Sequence, residues 1–129
     1  MTMRNLMLSA LLVTGLAACA TQATAPAVPG DTAIGKVLVD AKRMTLYTFD
    51  KDTMPGKSVC NGPCATNWPP LVANAGDMAQ GNWTVITRDD GSKQWAYKGK
   101  PLYGWVKDTK PGDTTGDGFL NGAWHAAKP

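Results

Sequence analysis

Beyond its N-terminal run, the chain alternates apolar and polar positions over short stretches, and no segment repeats apolar positions at helical spacing. Lys36-Val37-Leu38-Val39-Asp40 and Thr45-Leu46-Tyr47-Thr48-Phe49 read as strands, with Ala41 to Met44 turning between them in a hairpin. Trp83 to Arg88 and Lys93 to Tyr97 read as a second strand pair around Asp89-Asp90-Gly91-Ser92. Lys98-Gly99-Lys100 turns into Pro101 to Val106, and Ala123-Trp124-His125-Ala126 closes the sheet. Lys51 to Asn67 and Lys107 to Gly122 are long polar loops, and Val72 to Asn82 is a surface connection. Trp68-Pro69-Pro70-Leu71 is barred from a central strand because proline lacks the ladder's N–H.

The pattern occurs twice. Leu46-Tyr47-Thr48-Phe49-Asp50-Lys51-Asp52 returns as Leu102-Tyr103-Gly104-Trp105-Val106-Lys107-Asp108, 56 residues on, and the frame holds from Lys42 and Lys98 to Trp68 and Trp124. Two repeats, about 35–71 and 91–127, therefore build the domain. The fold class expected is all-β: a small sandwich or partly open barrel of two internal repeats with long loops. Tyr47 with Phe49, and Tyr103 with Trp105, share one face of their strands and supply core, roughly 1.5 to 3 kcal/mol apiece. Arg43 aligns with Gly99, which places an arginine where the turn wants a positive φ.

The first residues change the picture. Arg4 precedes the apolar run Leu6 to Leu16, too short to span a bilayer, and Leu16-Ala17-Ala18-Cys19 follows. This resembles a bacterial lipoprotein signal. The resemblance implies a signal peptide over residues 1–18 and lipid on Cys19. The Ala-, Thr- and Pro-rich stretch that follows reads as a flexible tether, 19–33, ahead of a β domain over 34–129. With Ala20 in place of Asp after the cysteine, the same resemblance implies an anchor in the outer membrane, facing the periplasm.

Formal net charge is +3 for the whole chain, without a basic run, so nucleic acid is not indicated as a partner. The acids are all Asp, which favours turns over helices. With Cys19 assigned to lipid, Cys60 and Cys64 remain as a pair for an oxidising compartment. Their C-x-x-x-C spacing fits neither thioredoxin-type chemistry nor haem attachment, and a structural disulfide is the reading taken over a redox or metal site.

Other candidate chemistry is sparse. Asp113 and Asp117, with Asp108, offer oxygens to calcium, although the spacing is not that of an EF-hand; the alternative is that they cap their own turns. His125, the one histidine, could join Met44, Met54 or Met78 on copper, but no spacing gathers them. No cofactor is expected, and neither a Ser-His-Asp arrangement nor a catalytic carboxylate pair can be argued; Asp50 and Asp52 are expected to face solvent.

Tyr47, Phe49 and Asp52, like Tyr103, Trp105 and Asp108, both spell Y-x-[FWY]-x-x-D. With the cysteine loop leading to Trp68-Pro69-Pro70-Leu71, they resemble the bacterial predicted lipoproteins with the Yx(FWY)xxD motif, the secreted repeat of unknown function. The resemblance covers about Gly35 to Lys128 and implies an exported, often lipid-anchored domain without naming a reaction. The function expected is a non-enzymatic envelope module that binds or supports an envelope protein or cell-wall component through its loops. The alternatives are a periplasmic calcium- or copper-binding protein, or a small inhibitor of a cell-wall hydrolase.

Overall fold

The computed structural model describes residues 24–129. Short strands dominate: β1 (Val28–Thr32), β2 (Gly35–Val39), β3 (Tyr47–Phe49), β4 (Trp83–Thr87), β5 (Lys93–Tyr97), β6 (Lys100–Pro101) and β7 (Trp124–Ala126). They form three small antiparallel sheets, β1-β2, β3-β7 and β4-β5-β6, joined by isolated bridges and not closed into a barrel. The protein is all-β apart from a one-turn helix α1 (Pro63–Asn67) and a helical turn over Phe119–Gly122. Pro63 suits the first position of α1, where a missing N–H goes unnoticed.

The expected tether ends too late. Val28–Thr32 pairs with β2 in full register, from Val28↔Val39 to Thr32↔Gly35. Ala27 is already buried beside Leu38, Trp83, Trp95 and Ala127. The strand lies at a sheet edge and is held mainly through its backbone, so its sequence, Val-Pro-Gly-Asp-Thr, shows no apolar alternation. Gly30 is required there, because a Cβ would stand 2.8 Å from Cγ1 of Val39. The expected turn over Ala41 to Met44 forms. Asp40 Oδ1 accepts from the N–H groups of Lys42 and Met44, both at 2.9 Å, and Arg43 has a φ of 65°.

The two repeats interlock about an approximate twofold axis. It runs between Tyr47 and Tyr103, equivalent residues that exchange backbone hydrogen bonds of 2.8 and 3.0 Å. Each repeat then closes on the aromatic strand of the other. β7 pairs with β3 (Tyr47↔Ala126, Thr48↔His125, Phe49↔Trp124), and Asp50 N–H donates to the carbonyl of Ala123 at 2.8 Å. In the mirrored copy Gly104 N–H donates to Pro69 at 2.7 Å and Val106 N–H to Asn67 at 3.1 Å. The prolines at 69 and 70 are tolerated because the ladder uses the Pro69 carbonyl there, accepting from Gly104, and needs no N–H from either. The β4-β5 hairpin occupies in the second repeat the place of β1-β2 in the first, so each repeat begins one strand earlier than the sequence frame indicates.

The motif aromatics do form core. Phe49, Trp124, Trp68 and Trp105 stack in that order with centroids 4.2, 3.8 and 3.9 Å apart. Tyr47 meets Trp68, and Tyr103 meets Trp124, edge to face. The twofold passes between the two central tryptophans and exchanges Phe49 with Trp105 and Trp68 with Trp124, so the column maps onto itself.

Candidate functional site

The repeated motif assembles as two crossed pairs. Tyr47 Oη donates to Asp108 Oδ2 at 2.5 Å, and Tyr103 Oη donates to Asp52 Oδ2 at 2.5 Å. The tyrosine of each repeat is thus held by the aspartate of the other. Each carboxylate also pins its own loop through its second oxygen: Asp52 Oδ1 accepts from Val59 N–H at 2.8 Å, and Asp108 Oδ1 from the N–H and hydroxyl of Thr115 at 3.0 and 2.6 Å. The five-residue step from Tyr to Asp carries the chain off the strand and back beneath the partner repeat. Asp52 is therefore not solvent-partnered as expected; the partner tyrosine and a loop amide take its lone pairs.

Burial governs the titration of these groups. Both tyrosines are pushed well above the usual phenol range, first by desolvation and then by the carboxylate that accepts their proton. Desolvation also raises Asp52, against the opposing pull of Tyr103, the Val59 amide and Arg88.

The first-repeat clasp continues inward to a cation that sequence reasoning missed. Arg88, 5% exposed, donates through Nη1 to Ser58 Oγ at 2.9 Å and to Gln94 Oε1 at 2.7 Å, and through Nη2 to the carbonyl of Cys60. Ser58 Oγ lies 2.6 Å from Tyr103 Oη, which completes a buried chain of Asp52, Tyr103, Ser58 and Arg88. Gln94 Nε2 in turn donates to the carbonyl of Leu102 at 2.7 Å. Among the described residues no buried side-chain N or O lacks a partner. One signal could have found Arg88: it stands two residues after Ile86, on that strand's inward face.

The long loops diverge where their sequences do. Cys60 and Cys64 form a disulfide around the start of α1. Gly116 and Leu120 replace them in the second repeat. A Cβ on Gly116 would stand 2.7 Å from Trp68, so the central stack needs that glycine. Leu120 and Asn121 take left-handed conformations, with φ of 58° and 56°. Phe119 leans on Trp105 at 4.8 Å and remains partly exposed, as do Met54, Val59, Val106 and Leu120.

The candidate metal ligands are separately engaged. Asp113 Oδ2 accepts from the N–H groups of Thr109 and Lys110 at 2.9 and 3.1 Å, and these contacts, the Thr109 amide foremost, hold its carboxyl below the usual range. Asp117 Oδ1 accepts from Ala126 N–H at 2.9 Å. His125 Nε2 lies 2.8 Å from Asp50 Oδ2. Among the described residues no three His, Cys, Asp or Glu side chains gather where an ion could sit. Cys19, the expected lipidation residue, lies outside the described residues, as does the expected signal peptide. No helix among the described residues is long and apolar enough to cross a membrane.

Two segments, residues 30–72 and 84–128, match the family described as the secreted repeat of unknown function. The match covers both crossed motifs and most of the chain, and the chain belongs to that family. No curated protein and no solved structure matches it.

Proposed function

We propose that this is a lipid-anchored protein of the bacterial envelope, held at the outer membrane through Cys19, that acts as a non-enzymatic binding or structural module. The loops over residues 51–67 and 107–122 are its contact surface. One observation carries the reading: Met54, Val59, Phe119 and Leu120, all substantially exposed, project from these loops while the clasped repeats beneath them are rigidly bonded. Apolar side chains on fixed loops suit docking to a protein or cell-wall partner.

The test has two parts. Palmitate labelling of cells expressing the chain should mark the protein and be lost in Cys19→Ala, with release from the membrane fraction. Photo-cross-linking residues placed at Met54 and Leu120 should capture one defined envelope component that a probe at Ile34 does not. Labelling that survives Cys19→Ala would remove the anchor, and equal capture from all three positions would remove the loop surface.

A further inference from the structure

On the face formed by β3, β7 and the β5-β6 turn lies a cleft of about 260 Å³ that the loop-docking reading does not use. Thr48, Tyr97, Ala126 and Ala127 line it, and Lys98, Lys100, Lys128 and His125 give it its charge. Among the described residues no carboxylate lines it and none of its three lysines is ion-paired. The one acid at its margin is Asp50, bonded to His125. Lys128 Nζ donates to the carbonyl of Ile34 at 3.3 Å and keeps further donors for a ligand.

The backbone supplies an independent observation. Tyr97 pairs with Lys100, so Lys98 and Gly99 form a two-residue hairpin turn, with φ of 49° and 82°. Such turns favour Asn-Gly, and a lysine in the first position is strained. A strained residue at the edge of a cleft motivates a functional reading. Lys98 Nζ also lies 5.2 Å from the Tyr97 ring centroid, which ties it to the cleft wall.

We propose that this cleft binds a phosphate-bearing ligand. Ammonium groups are compact point charges with three donors each, suited to the anionic oxygens of a phosphate mono- or diester, and the Tyr97 ring with Ala126 and Ala127 offers an apolar wall for the esterified carbon. The ester comes either from a soluble phosphomonoester or from a phospholipid headgroup.

The experiment uses the full chain carrying Cys19→Ser, so that no acyl anchor contributes. Glycerol phosphate is titrated calorimetrically, and flotation is measured with vesicles of phosphatidylglycerol in phosphatidylcholine against phosphatidylcholine alone. Binding to glycerol phosphate identifies the soluble source, and flotation with anionic vesicles alone identifies the headgroup. In either case Lys100→Gln with Lys128→Gln should weaken binding at least about tenfold. Lys98→Asn should weaken it while raising Tm, because asparagine accepts the left-handed turn, so that loss cannot be ascribed to misfolding. Absence of binding in both arms overturns the proposal. So does unchanged binding in these variants, or an equal loss in Lys107→Gln with Lys110→Gln, which lie outside the cleft.

Discussion

Arg43 shows how a single residue can be read from a repeat. Its counterpart in the second copy is Gly99, and the two have φ of 65° and 82°. An L-residue with a bulky side chain in that region costs on the order of 1 kcal/mol. Arg43→Gly should therefore raise Tm by about 5 °C, partly offset by glycine's entropy when unfolded, and a thermal melt checks it. A lowered or unchanged midpoint would separate the two turns. Gly116 shows the opposite case. Its φ is unremarkable and its alignment with Cys60 suggested only a missing disulfide, yet the ring of Trp68 fills the space a Cβ would need. The sequence frame could find the first residue because backbone conformation recurs locally; the second depended on a neighbour 48 positions away.

At the scale of elements, the strand and its motif act as one part of a clasp. Tyr47 with Asp108, and Tyr103 with Asp52, are equivalent pairs; Ser58 and Arg88 extend the second, and the Gly116 N–H, donating to Tyr47 Oη at 3.3 Å, extends the first. Removing one buried partner leaves the other unsatisfied, at a cost of about 1–3 kcal/mol. In a double-mutant cycle of Tyr47→Phe and Asp108→Asn, read by urea denaturation, the pair should couple by about 1–2 kcal/mol. The cycle of Tyr103→Phe with Asp52→Asn should couple too, and each phenol carries one further partner that its removal would strip, Ser58 Oγ for Tyr103 and the Gly116 N–H for Tyr47. Additive effects in either cycle would mean the bond contributes nothing to stability. The motif's spelling was legible; that each half serves the opposite repeat was not, since a period in sequence does not reveal which copy a side chain faces.

For the molecule as a whole, the two clasps predict a response to alkali. Tyr47 and Tyr103 both have folded pKa values raised above the ordinary tyrosine value, by burial first and by the accepting carboxylates second. The fold therefore holds their protons more tightly than the unfolded chain does. Their contribution is fully present below the unfolded value of about 10 and is lost as pH rises from there towards the folded values. Urea midpoints measured between about pH 8 and 11 should fall more steeply for the wild type than for Tyr47→Phe with Tyr103→Phe. Parallel curves would show that the phenols ionise without opening the domain.

The sequence by itself determined the all-β class, the two copies, the aromatic core, the Cys60 to Cys64 pair and the family, because each is written in short-range pattern: strand alternation, turn residues, a fixed offset and loop spacing. It missed β1, an edge strand held by backbone groups that carry no side-chain signal. Only the tertiary structure decided that the repeats exchange their closing strands, that Asp52 is a bonded partner of Tyr103 and not a solvated charge, and that Arg88 sits inside on Ser58 and Gln94. It alone brought Lys98, Lys100 and Lys128 to one cleft. Those arrangements join residues far apart along the chain, and a linear pattern records what each segment can form, while the contacts between segments are settled by packing two repeats about a shared axis.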